Sequence, residues 1–598
     1  MNQNPYGKII VPYKNPTPGM LPIVGSGKLI GYSYLTEKFL RMQKELGINI
    51  AQAAMSASAG DQVFCDVNGE KKYNHDCAKL NYGNSSAIVY GHMPNQEFSL
   101  YNAKRAEIKM FIRFEPKSIT SLADVEPEGP VWTSNIRFYN VFFRETKMFS
   151  DCKAALAGFW LMDEPSLSAF LGLREVRYAI LRNELESSSS ATSDSFEIPA
   201  SGSSITISSE NVIDYPILSN LYPYLEVNAS GSVTDPQSIQ LNGILNNCSP
   251  NNIPVPGWGP VKTYKDYFES YYSNLEPGLV CFDAYPFRHF GDEKLKLSSK
   301  FFSSLAFFMQ QRKEKGITFW STILGMGVTL YNKDTGKVSQ VKPVPTLSQL
   351  KYAVYCSLAF GAQGLVYWRV TEGPNVVTDG KIIEEYKGAP IDKKCARTDT
   401  FYLIQEVNQS VRRYQSIFLT EEENLISCDI DACVSQWPET DGNTSANSKD
   451  YYKNVPLRVF KNDGIHTFGL LKRVNEGANL AFGIITKKYK GTLQSFKEYL
   501  IVVNLDIAKK QEIKLTFTSK VKDEMASPTP PPLITPGSNE YSHSYNTERV
   551  NDYSNRENTD DKDERVGTNI EENISSFTGV LNPGDWRIFS SSGYILNT

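Results

Sequence analysis

The fold of this chain is decided by residues 157–165, which read AGFWLMDEP. The apolar run predicts a strand that is covered on both faces. Pro165 cannot donate a ladder hydrogen bond, so we expect the strand to stop there. Asp163 and Glu164 would then lie at the carboxyl end of a buried parallel strand, where α/β folds place their chemistry. A carboxyl group at that position is partly removed from water, which can raise its pKa into the range that a general acid needs.

The sequence around this stretch alternates short apolar runs with segments of helical periodicity, from about residue 28 to residue 418. Such alternation predicts βα units and a parallel sheet. Besides the opening stretch, the strand candidates are LIGYSYL (29–35), INIAQAAM (48–55), IKMFIRF (108–114), PILSNLYPY (216–224), LVCFDAYPF (279–287), ITFWSTILG (317–325) and GLVYWRV (364–370). Eight strands are what a (β/α)8 TIM barrel requires. We therefore predict an α/β chain with an N-terminal extension at 1–27 and a barrel at 28–422, with a Ser/Thr-rich insertion near 187–209.

The remainder of the chain, residues 423–598, has a different pattern. Short alternating runs such as LAFGIITKKY and EYLIVVNLD are separated by polar turns. This pattern predicts a C-terminal antiparallel β-sandwich. A polar, charged tract near 525–572 begins with SPTPPP and predicts a mobile insertion in that domain.

Composition excludes several classes of partner. A formal net charge of −4 over 598 residues gives no reason to expect nucleic acid or an anionic membrane surface as a partner. The sequence contains no apolar run of about 18 residues, so no membrane span is predicted. Aromatic residues make up 12% of the chain, which suits a protein that stacks flat, hydroxylated ligands. No cofactor is predicted, and the oligomeric state is left open.

The nine cysteines do not follow a metal-binding spacing. An odd number leaves at least one thiol outside any internal bridge. Cys65 with Cys77, and Cys428 with Cys433, are close enough in sequence for either pair to form a disulfide. Three others lie in apolar segments and are predicted to be core residues: Cys152, Cys281 and Cys356.

Four carboxylates follow predicted barrel strands and are candidates for chemistry. Glu164 follows the fourth strand, Asp283 lies in the sixth and Glu372 follows the eighth; these three are the catalytic candidates. Asp163 and Arg113 are candidates for binding substrate beside them. Aromatic candidates for the same role are Tyr222, Trp258, Tyr285, Trp320 and Trp368. Carboxylates ringed by aromatic side chains are what glycoside cleavage needs, because one acid protonates the leaving oxygen while another attacks or activates water.

Each candidate also has a purely structural interpretation. Glu164 could interact with the positive end of the following helix. Asp283 could be a buried ion-pair partner of Arg113 or Arg288, and Glu372 a solvated loop residue. Trp320 and Trp368 could fill the barrel core, and Arg113 could orient a carboxylate rather than bind substrate.

A metal site is a third interpretation of the same strand ends. Asp283, His289 and Glu164 would be its ligands. With a single histidine nearby, this hypothesis is weaker than acid–base catalysis, and no metal is predicted.

The stretch GFWLMDEP resembles the fourth strand of retaining glycoside hydrolases of the large (β/α)8 clan that includes β-galactosidases. In that clan an Asn-Glu pair stands here, and its Glu is the acid/base, which the resemblance places at Glu164. More narrowly, GFWLMDEP followed by FDAYPF, a GLVYW eighth strand and a PGDWRIF strand near the end is similar to glycoside hydrolases found in gut Bacteroidetes. Those proteins are usually exported. The resemblance therefore implies a periplasmic, cell-surface or secreted glycosidase whose signal peptide is absent from this sequence, with a cytoplasmic location as the alternative.

The sequence departs from the clan in one important place. The clan takes its nucleophile, a Glu, from the end of the seventh strand, but ITFWSTILGMG carries no acid. Asp163 also stands where the clan has Asn. Asp283 or Glu372 could be the second carboxylate, the strand count could be wrong by one, or the protein could bind glycans without cleaving them. We prefer Asp283, because its strand would place it on the same barrel face as Glu164.

Overall fold

The computed structural model of this chain describes residues 8–10, 13–27, 35–52, 61–67, 70–73, 88–113, 153–165, 170, 173–174, 177, 204–206, 216–224, 264–290, 294–422, 424–439, 456–490, 495–526, 574–591 and 594–595. Within these residues, eight parallel strands close into a barrel in chain order, each paired with the next and the last with the first. They are β1 (Ile23–Ser26), β2 (Ile50–Gln52), β3 (Lys109–Arg113), β4 (Leu156–Asp163), β5 (Ile217–Leu221), β6 (Leu279–Asp283), β7 (Thr318–Leu324) and β8 (Leu365–Trp368). The predicted TIM barrel is confirmed.

The first strand of the barrel lies upstream of the one that the sequence predicts. Residues Ile23–Ser26 pair with β8 on one side and with β2 on the other. The barrel therefore begins inside the predicted N-terminal extension, whereas most of the predicted strand at 29–35 lies outside the described residues. Four fully buried residues, two of them small, form too short a run to stand out beside the longer aromatic run that follows.

Helices pack around the barrel between most of the strands. They are α1 (Glu37–Glu45), α2 (Asn95–Ala106), α3 (Tyr264–Leu275), α4 (Ser299–Lys315), α5 (Leu347–Ala359) and α6 (Asp399–Phe418). The side chain of Thr346 caps α5 and that of Gln349 returns the bond, which confirms the predicted capping box. At its end, α4 stops at Gly316, whose φ of 71° is the left-handed conformation that glycine adopts readily.

The barrel encloses a core of its own, separate from the layer between strands and helices. Interior side chains come from all eight strands: Val24, Ile50, Phe111, Ala157, Trp160, Leu218, Leu279, Cys281, Trp320 and Val366. Tyr13 covers this core, with its ring edge-on to that of Trp320 at 6.5 Å. Because the interior is filled by side chains, a substrate can reach only the ends of the barrel.

A four-stranded antiparallel sheet is formed by the loops that follow β7 and β8. Its strands are Gly327–Tyr331, Val338–Lys342, Val376–Thr378 and Lys381–Lys387, and we call it the rim sheet. Both loops leave carboxyl ends of barrel strands, so the rim sheet stands on the face where barrel enzymes hold their chemistry.

The C-terminal domain is antiparallel, as predicted. Its strands are β9 (Leu425–Val434), β10 (Leu471–Val474), β11 (Leu480–Tyr489), β12 (Ser495–Asn504), β13 (Gln511–Asp523), β14 (Ile574–Leu581), β15 (Trp586–Ser591) and β16 (Tyr594–Ile595). They form one hydrogen-bonded sheet that folds over a shared core in the manner of a β-sandwich. Its other face packs on α5 of the barrel.

Some predictions lie partly or wholly outside the described residues. This holds for most of the insertions near 187–209 and 525–572, and for Cys77 and Cys152. Cys428 and Cys433 are both free, so that proposed disulfide is wrong; five residues apart on the single strand β9, the two cannot turn toward each other. Cys281 and Cys356 are buried free thiols, as predicted. In the part of the chain that is described, no helix is long and apolar enough to cross a membrane.

Candidate active site

Irregularities in β4 determine where its terminal carboxylates point. Trp160 pairs with Leu218 of β5, and both side chains belong to the interior core. The next pairing joins Asp163 to Asn220. Between the two pairs β4 has one more residue than β5, which is a β-bulge. Asp163 lies three residues after Trp160, so in a regular strand its side chain would point to the opposite face, toward the helices. The bulge returns Asp163 to the inner face of the barrel.

Glu164 comes directly after β4, in a left-handed conformation with a φ of 44°. Its backbone N–H donates to the carbonyl of Asn220 at 2.7 Å, which ties the end of β4 to the neighbouring strand β5. Pro165 follows outside the strand, as the sequence predicts. The side chain of Glu164 is partly exposed and can therefore meet a ligand at this end of the barrel.

Asp283 is the last residue of β6 and its side chain is partly exposed. The hydroxyl of Tyr285 donates to its Oδ1 at 3.1 Å. Thr322, on the neighbouring strand β7, also hydrogen-bonds the Asp283 carboxylate. The one polar group that β7 contributes here is thus a hydroxyl rather than the acid of the resembled clan.

Asn220 links the carboxylates of β4 and β6. Its Nδ2 donates to Oδ1 of Asp163 at 2.8 Å, and its side chain also hydrogen-bonds Asp283. Asn220 is itself 4% exposed, so packing holds the amide in place. The amide therefore sets the relative position of Asp163 and Asp283.

The pKa values of two carboxyl groups in this cluster are raised. Burial, followed by the charges of Asp283 and Asp163, raises the pKa of Glu164 to about 8. Burial and the charge of Asp163 raise the pKa of Asp283 to about 7, against the hydrogen bonds from Thr322 and Asn220, which lower it. Each group therefore keeps a proton to higher pH than a free carboxyl group does, and the two titrate as a pair.

Two lysines supply positive charge to the cluster. The charges of Lys342 and Lys300 both lower the pKa of Glu164, and that of Lys342 also lowers the pKa of Asp283. Lys342 ends a strand of the rim sheet, and Lys300 lies in the first turn of α4. Their charges offset part of the repulsion among three clustered carboxylates.

Aromatic side chains line the same end of the barrel. The rings of Tyr285 and Trp368 stack at 5.8 Å with an angle of 30° between their planes, and both are partly exposed. Tyr222 follows β5, is partly exposed, and has its pKa raised by burial and by the charges of Glu164 and Asp163. The structure therefore brings three of the predicted aromatic residues to the carboxylate cluster.

Other predicted site residues lie elsewhere. Trp320 is 0% exposed in the barrel interior, so it packs the core and has no face for a ligand. Oε1 of Glu372 accepts a hydrogen bond from the backbone N–H of Gly388 at 2.9 Å, and its Oε2 lies 3.9 Å from Nζ of Lys393, so this carboxylate holds loops together. Arg113 ends β3, but its side chain, like all of Trp258, lies outside the described residues.

Sequence reasoning missed Asn220, Thr322, Lys342 and Lys300. Polar residues inside the otherwise apolar runs of β5 and β7 were a usable signal for the first two, because a buried polar group needs a partner. The lysines had no comparable signal. No group of His, Cys, Asp and Glu side chains in the described part of the chain is arranged to hold a metal ion.

No protein-family model and no curated protein matches the chain. Among solved structures, a beta-galactosidase from the psychrophilic Marinomonas ef1 aligns over 66% of this chain at 10% identity and a TM-score of 0.33, and this chain spans 60% of its length. A GH42 beta-galactosidase from G. stearothermophilus aligns over 98% of this chain and 99% of its own, at 10% identity and a TM-score of 0.40. A glycoside hydrolase family 30 subfamily 8 xylanase from Clostridium acetobutylicum aligns over 98% and 99%, at 11% identity and a TM-score of 0.34. At these values the assignment of the fold depends on the strand pairing of the barrel itself, and the functional argument on the site.

Proposed function

We propose that this protein is a glycoside hydrolase in which Glu164 is the general acid and Asp283 the nucleophile or general base. The observation that carries the proposal is the pair of carboxyl groups at the ends of β4 and β6, which lie close enough for the charge of Asp283 to act on Glu164 and whose pKa values are both raised by burial. Enzymes that run acid and base chemistry together tune two carboxyl groups by environment in this way.

The proposed chemistry gives the two carboxyl groups different roles. In the proposed mechanism Glu164 carries the proton and delivers it to the leaving glycosidic oxygen. Asp283 is then the ionised partner, which attacks the anomeric carbon or takes a proton from water. The stacked rings of Tyr285 and Trp368 offer a face on which a sugar ring can lie.

Hydrolysis of a panel of aryl glycosides tests the proposal. We expect Glu164→Gln and Asp283→Asn each to lower kcat/KM by roughly 10²–10⁴-fold, the range for a lost acid or base. Glu164→Gln should lose least on aryl groups that leave without protonation, whereas Asp283→Asn should lose alike on all. Glu476→Gln, an exposed change in the C-terminal domain, is the matched control. Unchanged turnover in Glu164→Gln would exclude its role.

The second candidate is a glycan-binding protein without turnover. The absence of an acid at the end of β7 favours it. The order of strands in the closed barrel identifies Thr318–Leu324 as the seventh strand, the one from which the resembled clan takes its nucleophile. Calorimetric titration with the same glycosides separates the two functions: binding without hydrolysis by the wild-type protein supports the second. Export from the cytoplasm, which the resemblance implies, belongs to the proposal and is tested by cell fractionation.

A further inference from the structure

We propose that Lys342 is a positioning residue of the site, which the rim sheet places against Asp283 so that this carboxylate is ionised while Glu164 keeps its proton. The inference depends on the proposed function for its role in catalysis, although its effect on Asp283 can be measured without any substrate. Nothing in the local sequence around Lys342 points to this role.

The backbone around Lys342 is held by two loops. Lys342 pairs with Val328 in the antiparallel hairpin that follows β7. The preceding residue, Val341, exchanges two backbone hydrogen bonds of 2.9 Å with His289, in the loop that follows β6. The hairpin is thereby tied to the same loop that carries Tyr285, and the position of Lys342 relative to β6 is fixed.

The amine of Lys342 faces the Asp283 side of the site. Its Nζ lies 4.6 Å from the centre of the Tyr285 ring. The hydroxyl of that ring donates to Asp283 Oδ1 at 3.1 Å. A cation over the ring face is attracted by the aromatic quadrupole. Trp368 stacks on the Tyr285 ring and limits its movement.

The charges around Lys342 favour this role. Asp283 and Glu164 stabilise its charged form, as does Glu384 of the rim sheet, while burial and the charge of Arg288 oppose it and lower its pKa. A positive charge near two carboxyl groups favours ionisation of the group with which it interacts more strongly. Of the two carboxyl groups, Asp283 interacts more strongly with the lysine, and its hydrogen-bond partner Tyr285 lies beneath the amine. The lysine therefore favours the negative charge at Asp283.

Asp163 makes such a cation necessary. Its charge raises the pKa of both other carboxyl groups. Without an opposing charge, burial and repulsion would favour protons on both Glu164 and Asp283 at neutral pH, and Asp283 could not act as the base. Of the two lysines, Lys300 acts on Glu164 from α4, whereas Lys342 acts on both members of the pair.

The pH dependence of kcat/KM on an aryl glycoside tests the proposal. In Lys342→Met the acidic limb, which reports ionisation of the base, should move to higher pH by about one unit or more, since a nearby opposite charge shifts a carboxyl pKa by 1–3 units. Activity should recover on the alkaline side. Lys342→Arg should keep the wild-type limb. Lys337→Met, an exposed lysine of the same hairpin, is the matched control.

Infrared difference titration of the Asp283 carboxyl group gives a second readout that needs no substrate. The Asp283 signal is identified by its loss in Asp283→Asn, and we expect it to titrate at higher pH in Lys342→Met. If the wild-type protein hydrolyses no glycoside, the proposed function fails while this titration still decides the role of Lys342. An unmoved Asp283 titration overturns the proposal, as does a loss of activity that is equal at every pH.

Discussion

Glu164 is held in a state that its own chemistry disfavours. Its φ of 44° is left-handed, which costs a residue with a Cβ about 1–2 kcal/mol. Partial burial and the neighbouring acids also disfavour the charged form of its carboxyl group. Strain and desolvation at one residue are typical of functional sites, where neighbouring structure overrides local preference. The hydrogen bond from the Glu164 N–H to Asn220 is part of that neighbouring structure.

The pH dependence of stability follows from the raised pKa of Glu164. Its ordinary value is 4.5 and its value in the folded chain is about 8. Between these two values the folded protein holds a proton that the unfolded chain releases, so rising pH destabilises the fold. Glutamine keeps the size and the backbone conformation but never ionises. We expect Glu164→Gln to match the wild type in free energy of unfolding below pH 4.5 and to become progressively more stable up to about pH 8.

Urea unfolding across this pH window measures the difference. Glu476→Gln serves as the comparison, because an exposed glutamate should show no such divergence. A Glu164→Gln difference that stays constant with pH would mean that the carboxyl group is not held protonated.

Single residues show how far sequence can predict this site. Asp163, Glu164 and Asp283 could be found because each ends an apolar run, and burial makes an acid there unusual. The prediction of Trp320 as a binding residue was wrong, because an aromatic residue in an apolar run can equally well pack the core or stack on a sugar. Lys342 could not be predicted, because its position depends on a long-range backbone pairing between Val341 and His289. No local sequence pattern indicates such a pairing.

At the level of elements, β2 to β8 were predictable for a plain physical reason. A parallel strand buried on both faces needs a continuous apolar run, and such runs are visible in sequence. The four residues of β1 are too few for that signal. The bulges in β4 are also invisible, since a bulge depends on the pairing of two strands rather than on the composition of one.

Gly158 lies at the first bulge of β4, where this strand pairs with β3. A substitution there tests whether the bulge positions the acids at the end of β4. Its φ is 149°, and a Cβ there would lie 2.3 Å from the carbonyl oxygen of Pro216 and 2.7 Å from Cε1 of Phe111. We expect Gly158→Ala to destabilise the fold by roughly 1–3 kcal/mol through overpacking. Because β4 must shift, Glu164 and Asp163 would move with it, and kcat should fall as well.

Thermal unfolding and kcat are measured together for this variant. Gly336→Ala separates the two costs, since Gly336 also has a positive φ of 68° but nothing within 4 Å of the added Cβ. Equal losses of stability in both variants, with kcat unchanged in Gly158→Ala, would show that the bulge does not position the acids.

The C-terminal domain packs on the barrel helices through a contact made by strand β15. Trp586 of β15 is 1% exposed and stacks on Tyr355 of α5 at 4.0 Å and on Phe418 of α6 at 5.9 Å. Close packing continues at Gly483 of β11, where a Cβ would lie 2.2 Å from the carbonyl oxygen of Ala359. The C-terminal domain therefore buttresses two helices that enclose β8, the strand that ends at Trp368.

Removing this contact should uncouple the two domains. We expect Trp586→Ala to cost about 3–5 kcal/mol, as for other buried tryptophans, and to split a single calorimetric transition into two, with the C-terminal domain unfolding first. Trp437→Ala is the matched control, because Trp437 is only partly buried at the edge of the core and lines a cavity of about 620 Å³. If the domains depend on each other as the packing indicates, the Trp586 variant should also lose activity below the temperature at which the barrel unfolds. A single transition shifted equally by both substitutions would instead mean that the domains do not depend on the Trp586 contact.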